Sequence, residues 1–118
     1  MTPSETIRQA ILDEMSIMED WVSLAGALEA LGISSFHARR KEVEEVIDCI
    51  NKDDSLQLRS ATEKFTIVDK PIPTDRILYS IFSKSAPADR AARMMELFID
   101  SDELRAQPDR PSAPERKQ

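Results

Sequence analysis

Residues 21–68, WVSLAGALEALGISSFHARRKEVEEVIDCINKDDSLQLRSATEKFTIV, decide the fold through the order of their signals. Trp21-Val22-Ser23 is short and β-prone. Ser23 is a good N-cap for a helix whose inner face is Leu24, Ala25, Leu28 and Leu31. Gly32 followed by Ile33 has the pattern of a Schellman ending. Ser34 or Ser35 then caps a second helix to about Lys52, with Phe36, Arg40, Val43, Ile47 and Ile50 aligned on one face. Asn51-Lys52-Asp53-Asp54 is a polar stop. Leu56-Gln57-Leu58-Arg59 and the run from Lys64 to Val68 alternate apolar with polar, the period of a half-exposed antiparallel pair. Ser60 to Glu63 forms the tip. The reading is strand, helix, helix, hairpin.

The flanks extend that order. Thr2-Pro3-Ser4-Glu5 matches a capping box with proline at the first helical position. Ile7, Ala10, Ile11, Met15 and Met18 then make one apolar stripe on an acidic helix. Gly26 lowers the propensity of its helix and is expected to permit close approach of the helix that follows. Beyond the hairpin, Pro71 and Pro73 bracket a break, and Thr74 caps a helix carrying Ile77, Leu78, Ile81 and Phe82. A last helix is expected from Ala88 to Leu104, carrying Ala91, Met94, Met95 and Phe98. The fold class expected is mainly α with a small antiparallel β-sheet. Residues 1–70 form its core, 71–106 a helical extension packed on that core or pairing subunits, and 107–118 a disordered tail rich in proline and charge. Trp21-Val22 is expected to pair with the second hairpin strand near Ile67, because an isolated two-stranded hairpin is marginal.

Composition bounds the function. The 118 residues are 41% hydrophobic and 32% charged, the balance of a globular protein rather than a disordered one. The N-terminus has no cationic segment followed by an apolar run, and no stretch approaches a membrane span, so a cytoplasmic chain without membrane contact is expected. Cys49 is the only cysteine, which excludes an internal disulfide. The net charge of −6 is unevenly spread: residues 1–33 carry one cation, Arg8, against six acids. A nucleic-acid binder usually advertises a basic domain, so any such activity here rests on a local patch.

In element order and spacing, residues 6–68 resemble the winged helix-turn-helix superfamily: helix, the strand WVS, the helices LAGALEALG and SSFHARRKEVEEVIDCIN, and the hairpin LQLRSATEKFTIV. The resemblance implies an α-β-α-α-β-β core followed by two C-terminal helices. Many members contact double-stranded DNA through the third helix and the wing, as transcription regulators do. Others are protein-interaction modules, and helices after the wing often pair subunits.

On that basis the candidate nucleic-acid-binding residues are Ser35, His37, Arg39, Arg40 and Lys41 at the start of the third helix, with Arg59 and Lys64 on the wing. The other reading of the cluster is a solvated face neutralised by Glu42, Glu44 and Glu45 through near-neighbour pairs. Met94, Met95, Phe98 and Ile99 are the candidate surface of a homodimer. Catalysis finds little support. His37 and Cys49 lie about 18 Å apart on one continuous helix, and no His/Cys cluster or glycine-rich phosphate loop is present. No cofactor and no enzymatic activity are expected. Two functions stand side by side: weak or dimeric DNA contact, and protein–protein interaction, which suits the acidic surface better.

Overall fold

A computed structural model describes residues 3–61 and 66–101. The first helix, α1, spans Pro3–Met18, and the part of its capping box due to Thr2 lies outside the described residues. Ile7, Ile11 and Met15 recur at one-turn spacing and are buried, whereas Ile17 and Met18 at the far end are exposed. Glu19 turns the chain out of the helix at a φ of +53°, and the Asp20 carboxylate accepts from the Trp21 amide at 2.7 Å. The short strand β1, Val22–Ser23, leads directly into α2, Leu24–Ala30.

Both ends of α2 follow the sequence. The Ser23 hydroxyl accepts from the Gly26 amide at 2.9 Å. At the other end the Ile33 amide donates to Leu28 and the Gly32 amide to Glu29, each at 2.9 Å, with Gly32 at a φ of +83°: a complete Schellman motif. Gly26 has a different role from the one expected. A β-carbon there would meet the Ser23 hydroxyl and a Val22 methyl, each at 3.3 Å, so its small size serves the tight β1–α2 junction and not the next helix.

The third helix, α3, is shorter than the sequence predicts. It spans Arg40–Lys52, not Ser35 to Lys52, and neither serine caps it. The Ser34 hydroxyl accepts from the Phe36 amide, and the Ser34 carbonyl accepts from the His37 amide, which closes a separate turn. The helix then starts at Arg39, whose amide donates to the Glu42 carboxylate at 2.8 Å. That carboxylate satisfies an otherwise orphaned donor and places negative charge in the first turn. Phe36 is therefore half exposed in the turn rather than on the apolar stripe, which is made of Val43, Val46, Ile47 and Ile50.

The chain continues through β2, Leu56–Ser60, and β3, Thr66–Ile67, then α4, Thr74–Phe82, and α5, Pro87–Met94. Here the largest correction falls. Residues 97–101 are not the end of a helix but a strand, β4, Leu97–Ser101. The four strands form one antiparallel sheet in the order β1-β4-β2-β3. Trp21-Val22 consequently lies beside β4, with Val22 opposite Ile99, and not beside Ile67. A short apolar run such as Leu97-Phe98-Ile99 has no periodicity that separates helix from strand. The facing edges of β1 and β2 decide it, because both would otherwise stay unpaired over the core.

The result is a mixed α/β unit with five helices packed with one antiparallel sheet among the described residues. One buried cluster joins α1 to β4, from Ile7 through Leu28, Ile47 and Leu58 to Leu78, Met94 and Ile99, so the core draws on both sides of residue 70.

A polar staple closes the end of the unit where α3 meets β2. The Asp53 carboxylate accepts from Arg8 Nε at 2.6 Å and from the Ser55 hydroxyl and amide at 2.6 and 2.9 Å. Its backbone carbonyl accepts from Lys70 Nζ at 2.7 Å. Burial by itself raises the carboxyl, but the Ser55 and Arg8 hydrogen bonds outweigh it and hold Asp53 below its ordinary value. A depressed carboxyl adds stability that is fully present above the unfolded pKa, near 3.9, and is lost as pH falls through the folded one. Asp53→Asn should therefore cost about 1–2 kcal/mol near neutrality, the lower part of the range for charged hydrogen bonds because Arg8 is partly exposed. Urea unfolding across a pH series checks this: the gap between wild type and variant should close as pH drops below about 4.

Candidate functional site

The sequence singled out the start of α3, and there the cations stand outward. His37 lies in the turn before the helix, Arg39 is its N-cap, and Arg40 and Lys41 open it; all four are exposed. Arg40 reaches the Asp75 carboxylate at the start of α4, at 3.8 Å. Ser35 does not belong with them. It is buried, and its hydroxyl donates to the Glu29 carboxylate at 3.2 Å, tying the turn back to α2.

The rest of the outward strip of α3 is acidic: Glu44, Glu45 and Asp48, with Lys52 following only in the last turn. α4 packs against α3. Between them lies an open groove of about 440 Å³ lined by Glu44, Asp48, Asp75, Arg76 and residues 72–74. Along α3, positive charge is thus gathered at the first turn and at Lys52 in the last, with carboxylates between them. His37 and Cys49 do not share a helix, so the ruler that separated them in the sequence does not apply. The structure parts them differently: His37 is exposed, whereas Cys49 is buried and donates to the Ser4 carbonyl at 3.5 Å, with burial raising its thiol above the ordinary value.

The wing candidates diverge too. Lys64 lies outside the described residues. Arg59 is on β2, in the ladder rather than at a tip, and its guanidinium is turned inward along the sheet. Nε and Nη2 each stand 3.2 Å from Asp100 Oδ2, with the Arg59 side chain 17% exposed and that of Asp100 fully buried. The guanidinium also sits 4.8 Å over the Trp21 ring, which in turn leans on Phe98 at 6.4 Å. This follows from register: Trp21, Phe98, Asp100, Gln57 and Arg59 alternate onto the face of the sheet opposite Val22, Ile99 and Leu58. Asp100 accepts from the Ser101 amide at 2.8 Å as well.

The four residues expected to pair subunits do not share a surface. Met94 and Ile99 are core residues, Phe98 stands beside Trp21 on the sheet, and only Met95 is largely exposed, at 59%. A two-fold contact through one continuous helix is excluded because that helix ends at Met94.

Sequence reasoning missed Asp100, which reads as an ordinary solvated acid when 97–101 is taken as helix. The available signal was an acid two positions after Phe98 at the end of a short apolar run, which in a strand puts both on one face. Among the described residues no three His, Cys, Asp or Glu side chains gather as a metal-holding group. No described helix is long and apolar enough to cross a membrane.

Replacing Arg59 with Met keeps the volume but strips a buried carboxylate of its cation. The expected loss is about 3 kcal/mol, the lower end for breaking a buried ion pair, because the Ser101 amide remains on Asp100. Trp21 is the only tryptophan, so its fluorescence reports the change directly. Denaturant titration and an emission spectrum check both effects; an unaltered midpoint and spectrum would show that the pair is idle.

No family model, curated protein or solved structure matches the chain.

Proposed function

We propose that the chain is a non-enzymatic, winged-helix-like domain that works by binding another protein. Three features support the winged-helix reading. α1, β1, α2 and α3 follow in the expected order. The turn from Leu31 to Arg39 sets α3 against the core. β1 lies beside a strand antiparallel to β2, with β4 standing where the second hairpin strand was expected. On this reading residues 61–96, with β3, α4 and α5, are an elaboration inserted between the two long strands.

The observation that carries the choice of partner is the charge order on α3. A helix read by a DNA groove presents cations along the strip that faces the phosphates. Here the cations of the first turn give way after Lys41 to Glu44, Glu45 and Asp48 along the same outward strip, and Lys52 follows only in the last turn. Arg59, which would add a wing contact, is occupied by Asp100. An alternating surface of this kind selects a complementary protein surface and rejects a polyanion.

The second reading, weak DNA contact through helix 3, is favoured by the exposure of His37, Arg39, Arg40 and Lys41 in one turn. Anisotropy of a labelled duplex at about 50 and about 200 mM salt separates the two, since phosphate contacts weaken steeply across that interval. The expected result is no saturable binding at either concentration, and no difference between wild type and an Arg39→Ala, Lys41→Ala double variant. Saturable, salt-sensitive binding that disappears in the double variant would overturn the protein-binding reading in favour of DNA.

A further inference from the structure

A second groove, of about 350 Å³, lies on the other flank of α3 from α4. Thr6 and Ile7 of α1, Leu31 and Ile33 at the end of α2, and Val46 of α3 line it, with Glu42 and Glu45 on its α3 edge. The origin of each part is local. The Schellman turn at Gly32 swings Ile33 back over Leu28, which leaves Leu31 and Ile33 half buried beside α1. Ile7 and Val46 are deep core residues that close the floor. Glu42 is fixed at the edge by the Arg39 amide, and Glu45, one turn on, is exposed.

Apolar floor and acidic edge together specify an occupant. We propose that this groove docks a cationic amphipathic segment of a partner protein, which inserts one or two aliphatic side chains between Leu31, Ile33 and Ile7 while a Lys or Arg beside them meets Glu45 and Glu42. The proposal rests on the protein-binding reading above and names its surface. The volume suits a pair of aliphatic anchors one helical turn apart, the usual spacing of helix-in-groove recognition. Charge selects the class of partner. The sole cation of residues 1–33, Arg8, is engaged by Asp53, so the α1 side sets no second cation against a positively charged segment. A nucleic acid or an anionic lipid surface meets like charge here, whereas a cationic segment is drawn in.

The test uses the full chain and a labelled leucine–lysine amphipathic helix of about 14 residues, long enough to fold on a surface. Its counterpart with every lysine replaced by glutamate is the control, both read by fluorescence polarisation. Saturable binding of the lysine peptide and none of the glutamate peptide is expected. Glu45→Lys should weaken binding on the order of tenfold, whereas Asp89→Lys, an equal change in net charge at an exposed position of α5, should leave it unaltered. Ile33→Ser, checked by circular dichroism for an intact fold, should weaken it as well. Equal loss in the Glu45 and Asp89 variants would reduce the effect to net charge and overturn the groove. So would binding of the glutamate peptide, or no saturation with the lysine peptide. A wild-type dimer in sedimentation that Glu45→Lys dissociates would assign the groove to a second copy and equally overturn the proposal. The two readings fail separately: a chain that binds neither duplex nor peptide loses only the groove, while one that binds duplex in a salt-sensitive way loses the protein-binding reading.

Discussion

The five-residue antiparallel ladder between β2 and β4 is the constraint on which the described structure depends. It joins residues about forty positions apart, so β3, α4 and α5 all lie within the loop that it closes. Its inner face supplies Leu56, Leu58, Leu97 and Ile99 to the core, and β4 then offers its other edge to β1. Without β4, two residues of β1 would have no partner and β2 would be left with β3 alone, the kind of isolated pair that is marginal in water. The helices find their floor through this ladder, and α2 inherits its starting point from β1.

The same ladder brings an acid into the interior. Asp100 is buried because the alternation of β4 puts it on the face shared with Arg59 and Trp21, and a carboxylate there persists only when it is paired. Arg59 is thereby committed to the structure, a commitment that bears on function. Among the described cations of the hairpin and the third helix, the exposed ones are gathered in the turn from His37 to Lys41, with Lys52 apart from them at the far end of α3. Elsewhere α3 shows carboxylates to solvent and grooves on two flanks, one polar beside α4 and one apolar beside α1. On the reading proposed above, this arrangement of signs suits another protein surface better than a polyanion.

Local signals were legible where one residue sets one conformation. Ser23 as a cap, Gly32 and Ile33 as a Schellman ending, and the Ile7–Ile11–Met15 stripe are each decided within a turn or two of chain, and each stands where the residues place it. The start of α3 was misjudged because Ser34 and Ser35 are as good at closing turns as at capping helices. The decision went to Glu42, whose carboxylate holds the Arg39 amide. Arg59 was legible as a strand residue but not as the partner of Asp100, since nothing local announces a carboxylate 41 positions away.

By itself, then, the sequence determined that five helices form, though not where the third begins or the fifth ends, the first hairpin pairing, and an acidic surface with one basic turn, because propensity, caps and hydrophobic period act over a few residues. The tertiary structure alone decided that Leu97–Ser101 is a strand, that it lies between β1 and β2, and that Arg59 turns inward. The physical reason is one and the same. A short apolar run is compatible with helix and strand alike, and unpaired edges over a hydrophobic core select the strand. Once that strand is in place, its alternation fixes which side chains are buried and which remain to meet a partner.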